Sequence, residues 1–178
     1  IYFCYELLGL STFQMGDIDI SGNDIFSNTT TGIISDSISY FGSNINDLST
    51  VNMGDIRLDE NEIVSSGDGI LIGNLFYIGY FNEDLSTFVI GDVSLDGNRI
   101  TSENGYGILA NLHDIGFELN LMSSMHAGGI SISGNTINSR SDSILINYYN
   151  VGAYVYGSSR ISVGEFRIDD NILTSTDG

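Results

Sequence analysis

The segment GDVSLDGNRITS, residues 91–102, decides how this chain folds. It reads Gly, polar, apolar, any, apolar, two turn formers, Asn, any, apolar, any, Ser. Four sister phrases follow the same pattern: GDIDISGNDIFS at 16–27, GDIRLDENEIVS at 54–65, GGISISGNTINS at 128–139 and GEFRIDDNILTS at 164–175. Their asparagines, Asn23, Asn61, Asn98, Asn135 and Asn171, lie 38, 37, 37 and 36 residues apart. A phrase recurring at a near-fixed period is the mark of a repeat architecture, in which each unit buries its apolar face against the next.

Within the phrase, apolar residues alternate. Ile18 and Ile20, Ile56 and Leu58, Val93 and Leu95, Ile130 and Ile132, and Phe166 and Ile168 each fall two apart. Period two puts such pairs on one face of a strand. The alternation slips at the Asn, which predicts a bend there, with the asparagine itself in the left-handed region. A second strand follows in GIIS from Gly32, GILIG from Gly69, GILAN from Gly107 and SILIN from Ser143. A third stretch opens at Gly42, Gly79, Gly116 and Gly152, each 12 residues before the next phrase. Variation in repeat length is therefore expected between the Asn and this third stretch. The opening LSTFQMG from Leu10 matches LSTVNMG from Leu48 and LSTFVIG from Leu85, so the register runs from the start.

These observations predict an all-β chain, a parallel β-helix or β-solenoid of about four and a half coils with a 36–38 residue repeat, in a single domain over 1–178. A partial coil occupies 1–15, repeats start near 16, 54, 91 and 128, and a partial coil occupies 164–178. Stacked about 4.8 Å apart, equivalent residues become columns. The Asn column is expected to form an amide ladder, and Ser27, Ser65, Ser102, Ser139 and Ser175 a weaker hydroxyl ladder.

The pattern apolar-x-apolar-x-x-Asn-x-apolar, then a turn and Gly-Ile, resembles that of the parallel β-helix of pectate-lyase-like proteins. IDISGNDI from Ile18 with GIIS from Gly32, and VSLDGNRI from Val93 with GILA from Gly107, carry it. The repeats here are longer than the twenty-odd residues usual per coil in that family. The resemblance therefore implies an extended third side or a flattened coil. Lyases of that family use calcium-binding carboxylates with a basic residue as proton acceptor, and hydrolases of the same fold use clustered aspartates.

Composition narrows function. Twenty-three acidic residues face five arginines and no lysine, a net charge of −18. Phosphate neutralisation needs cations in number, so nucleic acid is excluded as a partner, and an anionic bilayer is disfavoured. No apolar run reaches the roughly 18 residues of a membrane span. Cys4 is the one cysteine, which excludes an internal disulfide framework and fits a small buried hydrophobe. The opening IYFCYELLGL lacks the basic start and cleavage site of a signal peptide.

Acidic columns are the other feature. Asp17, Asp55 and Asp92 align, as do Asp59, Asp96 and Asp169. Like charges stacked at this spacing repel by about 1 kcal/mol per pair even in water. Solvation, raised pKa values or bound calcium would relieve that, and Asp17, Asp55, Asp59, Asp92 and Asp96 are the candidate calcium ligands. The chain carries no recurrent nucleophile–base pattern. His113 and His126 have no recurring partner, and the arginines are scattered. No enzymatic activity and no obligatory cofactor are expected. NYYNVGAYVYG from Asn147 is expected to pack between layers, or else to line a sugar-binding face.

The ends of a short solenoid offer unpaired strand edges. The expectation is an extracellular structural protein, at a cell surface or in a sheath, that polymerises with copies of itself by stacking coils into a filament, ring or sheath. Its composition is similar to that of amyloid-type microbial sheath proteins. The alternatives are a carbohydrate-binding or carbohydrate-active β-helix of an adhesin or spike, with a glycan as partner, and a calcium-dependent surface module.

Overall fold

The structure is a computed structural model, and it describes residues 6–36, 39–41, 44–79, 81–113, 115–116 and 118–177. Cys4 and Gly42 lie outside the described residues. Every strand pairing is parallel and joins equivalent residues of successive repeats. The chain is thus a β-solenoid, all-β, with no helix among the described residues.

Each coil contributes to five narrow sheets rather than to three sides. The first sheet stacks Ile18–Asp19, Ile56–Arg57, Val93–Ser94, Ile130–Ser133 and Phe166–Asp169. The second stacks Asp24–Ser27, Glu62–Ser65, Arg99–Ser102, Thr136–Ser139 and Ile172–Ser175. In the third, Ile33–Asp36 and Ser39–Phe41 pair with Ile70–Ile78, which continues to Ile108–His113 and Ile144–Tyr149. The fourth is built from two-residue strands: Glu6–Leu7, Asn44–Ile45, Phe81–Asn82, Glu118–Leu119 and Tyr154–Val155. The fifth stacks Thr12–Met15, Thr50–Met53, Thr87–Ile90, Ser124–Ala127 and Arg160–Val163. The first and fifth sheets meet at a corner on Gly16, Gly54, Gly91, Gly128 and Gly164. A Cβ on Gly91 would collide with the Asp55 carboxylate of the coil before it, which is why glycine recurs there.

One detail differs from the sequence reading. The left-handed residue of the bend is the one before the asparagine: Gly22, Glu60, Gly97, Gly134 and Asp170 have φ between 52° and 68°. The Asn begins the next straight segment, which leaves its amide free to turn inward. Repeat length varies between the Asn and the third stretch, as expected: in the turn before the third sheet, and within that sheet, where the register slips by one residue between Ile72 and Leu75. A one-residue bulge absorbs the difference without disturbing the columns on either side.

The interior has two apolar compartments. One holds Leu58, Ile63, Ile70, Leu95, Ile100, Ile108, Ile132 and Ile137 between the first three sheets. The other holds Ile45, Val51, Met53, Phe88, Leu119 and Met125 between the fourth and fifth. Ile130 packs against both. The alternating positions of the repeat phrase supply the first compartment, and the LSTF-type phrase supplies much of the second.

Candidate functional site

The asparagines of the repeat form a continuous ladder. The backbone N–H of Asn23 donates to Oδ1 of Asn61 at 3.0 Å, Asn61 to Asn98 at 2.9 Å, Asn98 to Asn135 at 2.8 Å and Asn135 to Asn171 at 2.9 Å. Each side-chain Nδ2 donates to the same oxygen, at 2.9–3.1 Å. The second amide hydrogen turns back along the stack: Asn61 reaches the Ile20 carbonyl, Asn135 that of Leu95 and Asn171 that of Ile132. Asn61, Asn98 and Asn135 are almost fully buried. Each of these three accepts a backbone donor, and Asn61 and Asn135 also serve a carbonyl, a pairing that neither an acid nor a hydrophobe of that size could make.

The serines of the same phrase stack in register beside it. Their hydroxyls serve the following turn. Ser65 and Ser102 both donate to the Gly67 carbonyl, Ser139 and Ser175 to that of Ser141, and Ser27 lies 3.4 Å from the Thr30 hydroxyl. A second serine ladder is missed by the sequence reading although the recurring LST phrase carries it: Ser11, Ser49, Ser86, Ser123 and Ser159 share the repeat spacing. Ser49, Ser86 and Ser123 of the LST-type phrase are buried, and Ser86 donates to Ser123 at 3.4 Å.

The acidic columns run in the opposite direction. Oδ1 of Asp17 accepts the N–H of Asp55, Asp55 that of Asp92, and Asp92 that of Gly129, at 3.0, 3.0 and 2.7 Å. Asp59 accepts the N–H of Asp96 at 2.8 Å, and Asp96 that of Ser133 at 2.7 Å. Ser94 and Ser131 add hydroxyl donors to Asp59 and Asp96. All five calcium candidates thus commit one oxygen to the next coil's backbone. Arg57 completes the start of the column, bridging to Asp17 at 3.0 Å and pairing with Asp55. The backbone donor from Asp55, then the Arg57 guanidinium, hold the Asp17 carboxyl below its ordinary value of 3.8. Among the described residues, no three His, Cys, Asp or Glu side chains cluster as a metal site would require.

The remaining polar and aromatic candidates are dispersed. His126 sits in an open groove of about 560 Å³ with Asp92, Arg57, Glu165 and Arg167, and His113 stacks on Tyr149 at 4.4 Å in the third sheet. Tyr148, Tyr149, Tyr154 and Tyr156 are about half exposed at the C-terminal end rather than packed between layers, because no further coil covers them. Burial pushes the Tyr148 hydroxyl up to about 12. No helix among the described residues is long and apolar enough to cross a membrane.

The two ends are where the columns stop. Ile20 in the first coil is 39% exposed and Ile168 in the last is 45% exposed, whereas Leu58, Leu95 and Ile132 between them are at most 4% exposed. Phe166 and Leu173 extend the apolar face at the C-terminal end, while Phe26, Ile34 and Ile172 lie on the outer sides of the terminal rungs. The Ser133 hydroxyl and then the Arg167 guanidinium hold the Asp169 carboxyl below its ordinary range. Its Oδ1 is nevertheless buried and without a hydrogen bond of ordinary geometry. In the same column, Asp59 and Asp96 use that oxygen for the next coil. No family model, curated protein or solved structure matches this chain.

Proposed function

We propose that this chain is an extracellular structural protein that assembles head to tail, each copy adding coils to the next in a filament, ring or sheath. One observation carries this reading: the columns buried in the middle coils are bare at both ends, and in the first and second sheets the two bare surfaces are translations of one another. Stacking the first coil of one copy on the last coil of another sets Ile20 over Ile168 and Ile25 over Leu173. It also brings the Asn171 N–H to the Oδ1 of Asn23 and the Ser21 N–H to the Asp169 Oδ1, the oxygen that Arg167 leaves without a partner. Each half-exposed Ile, Leu or Phe so covered contributes about 1 kcal/mol. The polarity of the ladders disfavours a head-to-head pairing, because Asn171 offers donors where another Asn171 offers the same.

Sedimentation velocity over a wide protein concentration range tests this. Growing species are expected, and both Ile20→Lys and Leu173→Lys should suppress them while leaving the circular-dichroism spectrum intact. A monomer at every concentration, or polymers indifferent to both variants, would contradict the proposal. The groove around Asp92, His126 and Arg167 supports a second reading, a glycan-binding face, since it combines hydrogen-bond donors and acceptors on an open surface. Saturable binding in a glycan screen, abolished by Asp92→Ala, is the outcome that reading requires.

A further inference from the structure

The corner between the fourth and fifth sheets carries a feature that stacking does not use. In every coil the chain turns there on two consecutive left-handed residues: Gly9-Leu10, Asp47-Leu48, Asp84-Leu85, Leu121-Met122 and Gly157-Ser158. The second residue has φ between 56° and 64° throughout. Such turns favour Asn and Gly, because a Cβ is strained in that region. The fifth coil makes the turn with Gly157-Ser158, so the backbone does not demand a large side chain. Yet the other four coils place Leu10, Leu48, Leu85 and Met122 in this position, between 48% and 75% exposed. A strained conformation held by an exposed apolar residue in four successive coils points to use rather than to packing.

The four side chains form a ridge, with an adjoining groove of about 590 Å³ that Asp47 and Asp84 also line. Its backbone is closed to strand addition: the N–H of Leu10, Leu48, Leu85 and Met122 donates to Asp47, Asp84, Leu121 and Gly157 in the next coil. Recognition must therefore run through side chains. Glu83 and Glu118, both within 3.3 Å of the Asn120 amide, add carboxylates to the same corner. Of the five arginines only Arg160 belongs to this edge, beyond Ser158, where the ridge is no longer apolar.

We propose that this ridge docks a basic amphipathic helix of a partner protein, laid along the stacking axis. The rungs supply an apolar residue about every 4.8 Å. A helix presents one about every 5.4 Å along its apolar stripe, close enough to stay in step over four rungs. An extended strand, with same-face residues about 6.6 Å apart, slips three times as fast, about 1.8 Å per rung against about 0.6 Å for the helix. Basic flanks on the helix meet Asp47, Asp84 and Glu83. The ridge of a second copy would set the same acidic rim, Asp47, Asp84 and Glu83, against this one, so it is not the occupant.

The probe is an 18-residue synthetic Leu/Lys helix with an amphipathic pattern, titrated by fluorescence anisotropy onto the full chain. Saturable binding is expected, weakened at least tenfold when the leucines are scrambled at constant charge and absent when glutamate replaces lysine. The double variant Leu48→Gly/Leu85→Gly should bind at least tenfold more weakly with no loss of thermal stability. Leu48→Asn/Leu85→Asn, equally suited to the turn, should do the same. No binding, or equal binding by the scrambled peptide or by either variant, overturns the proposal. So does a change in the oligomeric state of the peptide-free variants, because a second copy would then be the occupant. Leu48 and Leu85 lie in inner coils, so each outcome is independent of end-to-end assembly, which among the ridge residues would involve only the terminal Leu10.

Discussion

Asn98 sits at the centre of the ladder, with its Oδ1 taking two hydrogen bonds from Asn61 and its own N–H and Nδ2 given to Asn135. Asn98→Ala leaves the Asn61 N–H buried without an acceptor, and the expected loss is about 1–3 kcal/mol in a denaturant melt. Asn23→Ala, at the exposed end of the same column, should cost much less. Asn82 is the converse case. It occupies a column otherwise made of Leu7, Ile45, Leu119 and Val155, it is fully buried, and neither amide atom has a hydrogen-bond partner. Asn82→Leu restores the column's apolar character, and the thermal midpoint is expected to rise. A fall would mean that a buried water or a main-chain group holds the amide in solution. The Asn ladder was legible because a residue repeated five times at one spacing is visible without coordinates. Asn82 was not, because its neighbours in space are 37 residues away, in a two-residue strand too short to show alternation.

At the scale of the strand and its corner, the aspartate column offers a pH dependence with a definite sign. Asp17 has its carboxyl held below 3.8 by the Asp55 N–H and by Arg57. Its contribution to stability is therefore complete above about 3.8, the unfolded value, and is lost as pH falls below that through the folded value. The thermal midpoint of Asp17→Ala should lie below that of the parent protein at pH 6, and the gap should close below about pH 3.8. Salt should narrow the gap at pH 6 as well, because the Arg57 bridge is exposed and screened. The sequence showed these aspartates as repeating charges in need of relief. It did not show that the relief is a backbone donor one coil on, since that depends on the glycine corner bringing Asp55 close to Gly91. The five-sheet section was hidden for a related reason. Strands such as Phe81–Asn82 and Ile56–Arg57 contain no full period of alternation, so three longer segments absorbed them in the reading of the chain.

For the whole molecule, charge and end structure oppose each other. A net charge of −18 repels copies, while the bare apolar columns at Ile20 and Ile168 attract them. Raising ionic strength from about 0.01 to 0.15 M shortens the Debye length from about 30 to 8 Å, so assembly should quicken with salt. It should also quicken as pH falls toward about 4, where the net negative charge begins to shrink. Light scattering against salt and pH reads both effects. Axial order of the assembled material bears most directly on the claim that the ends stack. Electron microscopy and fibre diffraction of the purified chain should show filaments, rings or sheaths with strands perpendicular to the stacking axis. A spacing of about 4.8 Å is expected along that axis, with a protomer repeat of about 24 Å set by the five rungs of the first, second, fourth and fifth sheets. Uniform single particles under every condition, or polymers whose 4.8 Å spacing lies across the axis, would contradict it.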